Sequence, residues 1–149
     1  MVTTKKALIN AKKKRTAKSK ANIRKTFSTG ILRRNPAAVY ALVDVLNLGS
    51  ATANDIAVQV FDWSSGVAVP LPVVPCNTPI CKVTLFSGRS TFLYADVSKV
   101  EFKYEVRITR LAANKNVILN VTGVSGTPFT PQAGGTVLQH SLVEVKRKR

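Results

Sequence analysis

Val100-Glu101-Phe102-Lys103-Tyr104-Glu105-Val106-Arg107-Ile108 alternates without a fault between apolar and charged residues. A period of two puts Val100, Phe102, Tyr104, Val106 and Ile108 on one side of an extended chain and the charges on the other, the pattern of a half-buried strand. The charged side alternates in sign, which suits cross-strand ion pairs and discourages edge-on association. Looser versions of this alternation occupy 39–48, 56–63, 82–86, 91–97, 117–124 and 136–145. Turn signals separate them: Asn47-Leu48-Gly49-Ser50, Ser64-Ser65-Gly66, Ser87-Gly88, Ala113-Asn114-Lys115-Asn116 and Ser125-Gly126-Thr127-Pro128. Short strands at this spacing, with no helical period of ten or more residues, predict an all-β domain: an antiparallel β-sandwich, jelly-roll-like, of about seven to eight strands. The segment 67–75 carries Pro70, Pro72 and Pro75 and fits only an edge strand or an extended loop, because proline donates nothing to a ladder.

Charge divides the chain differently. Residues 1–34 hold twelve Lys or Arg and no acid, and residues 146–149 hold four more bases. Between them, 35–145 carries seven bases and seven acids, so the whole net charge of +16 resides in the two ends. The expected organisation is therefore a basic N-terminal arm over 1–34, extended or disordered alone, a β-sandwich domain over 35–145 and a basic C-terminal tail over 146–149. Too few large apolar groups among too many like charges keep such an arm from collapsing by itself. Fully extended, 34 residues span on the order of 110 Å.

Two parts of the arm differ. Lys12, Lys13, Lys14 and Arg15 form its densest cationic cluster and a candidate anion-binding site. The later part is apolar at Ile23, Phe27 and Ile31, a spacing that suits a strand face or a helix face; Thr26, Ser28, Thr29 and Gly30 favour the extended form. With no local core for them, Ile23, Phe27, Ile31 and Leu32 are expected to dock as an added strand on the sandwich of a second copy. Arg33 and Arg34 would then clamp acids of that neighbour.

Catalytic constellations are thin. The single histidine, His140, lies in the apolar pattern of Leu138, His140 and Leu142, as a core or interface histidine would. Glu101 and Glu105 are interleaved with Lys103 and Arg107 and read as a solvated ladder rather than an acid/base pair. Cys76 and Cys81 share a Pro-rich loop without the histidines a zinc site needs. A loop-closing disulfide and two free thiols both fit that spacing. The reading is a non-enzyme with no cofactor, no metal and no small-molecule substrate. No stretch is apolar and long enough to span a bilayer, and the early run Ala7-Leu8-Ile9 is too short for a secretory signal. Membrane insertion is not expected.

Three partners suit the arm: further copies of the chain, a nucleic acid bound without sequence preference, or another anionic surface. A basic arm before a small β-sandwich is also the architecture of many icosahedral RNA-virus coat proteins. The run Val60-Phe61-Asp62-Trp63-Ser64-Ser65-Gly66, the segment Pro75-Cys76-Asn77-Thr78 with Cys81, the segments 94–102 and 104–108, and Gly123-Val124-Ser125-Gly126-Thr127-Pro128-Phe129 together resemble small β-sandwich proteins of spore-forming bacilli, associated with the spore surface and its fibrous appendages. The resemblance implies a structural subunit of an endospore appendage or exosporium layer, made in the cytoplasm without a signal peptide and polymerised into a fibre. The alternative is a capsid-like coat protein in a virion, its arm on nucleic acid.

Overall fold

A computed structural model describes residues 22–146. Twelve strands form two antiparallel sheets, an arrangement consistent with a β-sandwich of the jelly-roll kind. The strands are β1 (Arg24–Ser28), β2 (Leu32–Arg33), β3 (Tyr40–Asn47), β4 (Ala53–Asp62), β5 (Val69–Leu71), β6 (Val73–Val74), β7 (Cys81–Leu85), β8 (Ser90–Asp96), β9 (Lys103–Leu111), β10 (Val117–Val124), β11 (Pro131–Val137) and β12 (Val143–Val145). The first sheet runs β12-β1-β9-β4-β5, with β2 also on β9 and β7 also on β4; the second runs β11-β10-β3-β8-β6. Inward residues of both sheets make one core: Val43 and Val45 of β3, Ile56, Val58 and Val60 of β4, Leu93 of β8, Tyr104, Val106 and Ile108 of β9, and Leu119 and Val121 of β10.

The alternation around 100–108 is realised over Lys103–Leu111, three residues later than it begins in sequence. Val100 is buried but sits in a turn closed by its own amide on Val97 O, and Phe102 is exposed. The proline-rich segment splits at Pro72, with β5 on the edge of the first sheet and β6 on the edge of the second. Cys76 and Cys81 form a disulfide, with Cα atoms 5.4 Å apart, that closes the loop between β6 and β7. The apolar pattern over 136–145 is not one strand. A 3-10 turn at Gln139–Ser141 breaks it, Gln139 accepting the Leu119 amide on its side-chain oxygen at 2.6 Å. The chain crosses there from the second sheet to the first, and His140, expected in a core or interface strand, is exposed on the turn.

The largest correction concerns the arm. Residues 24–28 are a strand, the extended form that Thr26, Ser28, Thr29 and Gly30 favour, but one laid into this chain's own first sheet between β9 and β12. Arg24 pairs with Leu111 and Ser28 with Arg107 on one side, and Thr26 with Val145 and Ser28 with Val143 on the other. The folded domain therefore starts near residue 23, not at 35. Gly30, at φ 66°, gives the left-handed residue that lets the chain leave β1 and rejoin β9 as β2.

A carboxylate fixes β1 in place. Glu105, read in the sequence as part of a solvated ladder, is buried and accepts four hydrogen bonds: from the Ser28 hydroxyl at 2.6 Å, the Trp63 indole at 2.8 Å, and Arg107 Nε and Nη2 at 2.9 Å each. Arg107 in turn lies over the Phe61 ring, 4.6 Å from its centroid. Burial pushes the Glu105 carboxyl up, but the bonds from Arg107, Ser28 and Trp63 and the Arg107 charge outweigh it, so its pKa lies below the ordinary value. A pKa depressed by folding adds stability that is present above the unfolded value and lost as pH falls through the folded one. Glu105→Ala is expected to lower stability by about 2–3 kcal/mol at neutral pH, since it leaves charged and neutral donors without their acceptor. Denaturant titrations from neutral to acid pH should show the loss shrinking as the parent's carboxylate is protonated.

Elsewhere β10 and β11 approach closely through facing glycines. A Cβ on Gly135 would stand 3.1 Å from both the N and the Cα of Gly123, backbone atoms that cannot rotate away, and one on Gly123 would stand 2.9 Å from the buried Tyr104 hydroxyl. Gly135→Ala is expected to cost about 1–3 kcal/mol as overpacking, measured by thermal or denaturant unfolding.

Candidate functional site

The residues expected to dock on a neighbour fall into two groups. Phe27 is half-buried beneath the Arg110 guanidinium, 5.1 Å from centroid to cation, beside Leu119 and Leu142, and Leu32 packs against the core opposite Tyr104. In the single chain both are housed by their own sandwich. Ile23 and Ile31 keep half of their surface exposed, at 50% and 51%. Arg33 is exposed across from Lys103. Arg34 turns inward instead of outward, donating to Ala38 O at 2.9 Å and Pro36 O at 3.3 Å, and its buried Nε has no partner. Lys12, Lys13, Lys14 and Arg15 lie outside the described residues. Among those described, no group of three or more His, Cys, Asp or Glu has the geometry for a metal, and no helix is long and apolar enough to cross a membrane.

Two surfaces stand out once the strands are in place. The first is a cationic corner. β1 begins where β12 ends: Thr26 pairs with Val145, so the chain enters at Ile23 and leaves at Lys146 from neighbouring strands at one end of one sheet. A groove there is lined by Ile23, Arg24, Lys25, Lys82, Glu144 and Lys146. Lys25 pairs with Glu144 at 2.9 Å and Arg24 approaches Asp55 at 3.6 Å. The sequence beyond this corner holds eight Lys or Arg over 1–21 and three over 147–149. The two cationic ends, separate in sequence, thus start from one place.

The second surface is the outer face of the other sheet. Tyr40 of β3, Phe92 and Tyr94 of β8, and Phe129 of the loop before β11 form a plate of touching rings. Centroids lie 5.1 Å apart for Tyr40–Tyr94, 6.3 Å for Phe92–Tyr94, and 5.8–5.9 Å from Phe129 to each of the other three. Edge-to-face and offset geometries of this kind hold aromatic clusters together, yet Phe92 and Phe129 remain substantially exposed. One carboxylate flanks each end: Asp44 is the register partner of Phe92, and Asp96 of Tyr40. Desolvation by the neighbouring apolar groups raises the Asp44 carboxyl above its ordinary value.

Charge separates between the sheets. The strands of the first sheet carry Arg24, Lys25, Arg33, Lys82, Lys103, Arg107 and Arg110 against four acids; those of the second carry Asp44 and Asp96 and no base. Arg89 and Lys99 stand in the loops at the two ends of β8, so the asymmetry is one of the strands. The plate left little trace in the sequence, because Phe92, Leu93, Tyr94 and Ala95 are apolar on both faces of β8 and alternation cannot say which side is in. Comparison of the chain with protein-family models, with curated proteins and with solved structures found no match.

Proposed function

We propose that this chain is a non-enzymatic structural subunit that assembles with copies of itself, the cationic end of one copy meeting the acidic, aromatic sheet face of the next. The observation that carries the reading is the separation of charge between the two sheets, with both basic termini rooted in one and no base on the strands of the other. A contact between two different faces is heterologous and need not close, so it propagates into a filament. Because β1 fills its own sheet, the contact relies on the chain before Ile23 rather than on donation of the 24–28 strand. The resemblance of 60–66, 94–108 and 123–129 to spore-surface proteins supports a place for such a polymer in an endospore appendage or exosporium layer.

A second reading, a capsid-like coat protein on nucleic acid, is favoured by the convergence of the two basic ends at one corner, which concentrates charge where a phosphate backbone would run. Binding by the arm's eight bases and the tail's four would give a salt slope of about −8 on single strands. Salt weakens both kinds of contact, so nuclease is the discriminating reagent. Negative-stain microscopy of the purified chain is expected to show filaments that persist after nuclease. Removal of residues 1–22 is expected to leave a folded monomer, because the core described above lies wholly outside that segment. Filaments formed by the truncated chain would refute assembly through the arm, and particles that absorb near 260 nm and disperse with nuclease would establish the coat reading in its place.

A further inference from the structure

We infer that the plate formed by Tyr40, Phe92, Tyr94 and Phe129, with Asp44 and Asp96 at its ends, is the docking site for residues 5–15 of a second copy. The inference rests on the self-assembly reading and names the surface and the segment that meet.

Two observations select this occupant. The first is charge. Outward positions of the second sheet offer carboxylates and aromatic faces without a strand base, and ammonium and guanidinium groups are attracted to both. The second is the order of residues in the arm. Lys5 and Lys6, then Ala7-Leu8-Ile9, then Lys12, Lys13, Lys14 and Arg15 place a short apolar run between two cationic clusters. The plate has the complementary order, Asp44 at one end, rings in the middle and Asp96 at the other. Four residues of strand separate the two carboxylates, about 13 Å at the usual rise, a span that long lysine side chains bridge from either side of the run. Leu8 and Ile9 would cover rings that now face water.

The choice of a second copy over the same one follows from the self-assembly reading: Ile23 O accepts the Ala112 amide at 2.8 Å, so the extension begins on the first sheet, where β9 passes into β10, and not on the sheet that carries the plate.

The test uses two complementary variants of the full chain. Phe92→Ser with Phe129→Ser spoils the plate and leaves the arm intact; Leu8→Ser with Ile9→Ser spoils the arm and leaves the plate intact. Each alone is expected to need about tenfold more protein than the parent to form polymers in sedimentation velocity, the loss corresponding to a few exposed apolar and cation–π contacts. Mixed, they retain one good arm and one good plate and are expected to form a heterodimer that does not grow, and a cooperative thermal transition of each variant alone shows that both are folded. Asp44→Asn with Asp96→Asn is expected to reduce the salt sensitivity of assembly. A parent that stays monomeric at every concentration would overturn the assembly reading and this site with it. Polymers that form equally well from the plate variant would overturn the plate alone, as would a mixture yielding no heterodimer. Polymers that ignore the plate substitutions but dissolve with nuclease would give the arm to nucleic acid instead.

Discussion

Everything distinctive about this molecule depends on where β1 lies. Five residues, Arg24–Ser28, bond to β9 on one side and β12 on the other, and the Ser28 hydroxyl closes on the buried Glu105 carboxylate at 2.6 Å. An ionised carboxylate inside a sheet is costly unless its lone pairs are met, and here Ser28, Trp63 and Arg107 meet them. One of those donors comes from β1 itself. The strand is therefore held by side-chain chemistry specific to this register as well as by main-chain ladders, and a slip of one residue would turn Ser28 away from Glu105.

Fixing β1 fixes the geography of charge. The N-terminal extension must begin beside the end of β12, so the two cationic ends of the sequence share one root on the first sheet. The second sheet, whose strands carry no base, is left with carboxylates at the ends of an aromatic plate. The strands of the two sheets thus differ in charge, and a contact between unlike surfaces need not close. The acids near the corner matter too: Glu144 pairs with Lys25 and Asp55 approaches Arg24.

Much of the β architecture is legible in the sequence, and the reasons it is incomplete are specific. The strands at 39–48, 56–63, 82–86 and 117–124 announce themselves because one face is buried and the other is not, and 91–97 is legible as a strand but not as to which face is in. The strand at 24–28 is legible as a strand, but nothing in a list of residues says which molecule's sheet edge it joins; that depends on β9 and β12 leaving a slot of its length. Glu105 escapes because a period-two pattern treats every charge as solvated, and only the arrival of Ser28 and Trp63 from distant segments buries it. The break at Gln139–Ser141 escapes because Leu138, His140 and Leu142 keep an apolar rhythm through a turn held by two side-chain hydrogen bonds, Gln139 Oε1 accepting the Leu119 amide and Asn120 Oδ1 the Gln139 amide.

Zero-length carboxylate–amine cross-linking of polymers built from equal parts of light and isotope-heavy chains tests the central claim most directly. The account expects mass spectrometry to find lysines of residues 5–15 joined to Asp44 and Asp96, with mixed-isotope pairs as frequent as random partnering allows. Cross-links at those positions confined to a single isotope would mean that each arm folds back on its own sandwich, and their absence from intact polymers would mean that the arm and the plate do not meet.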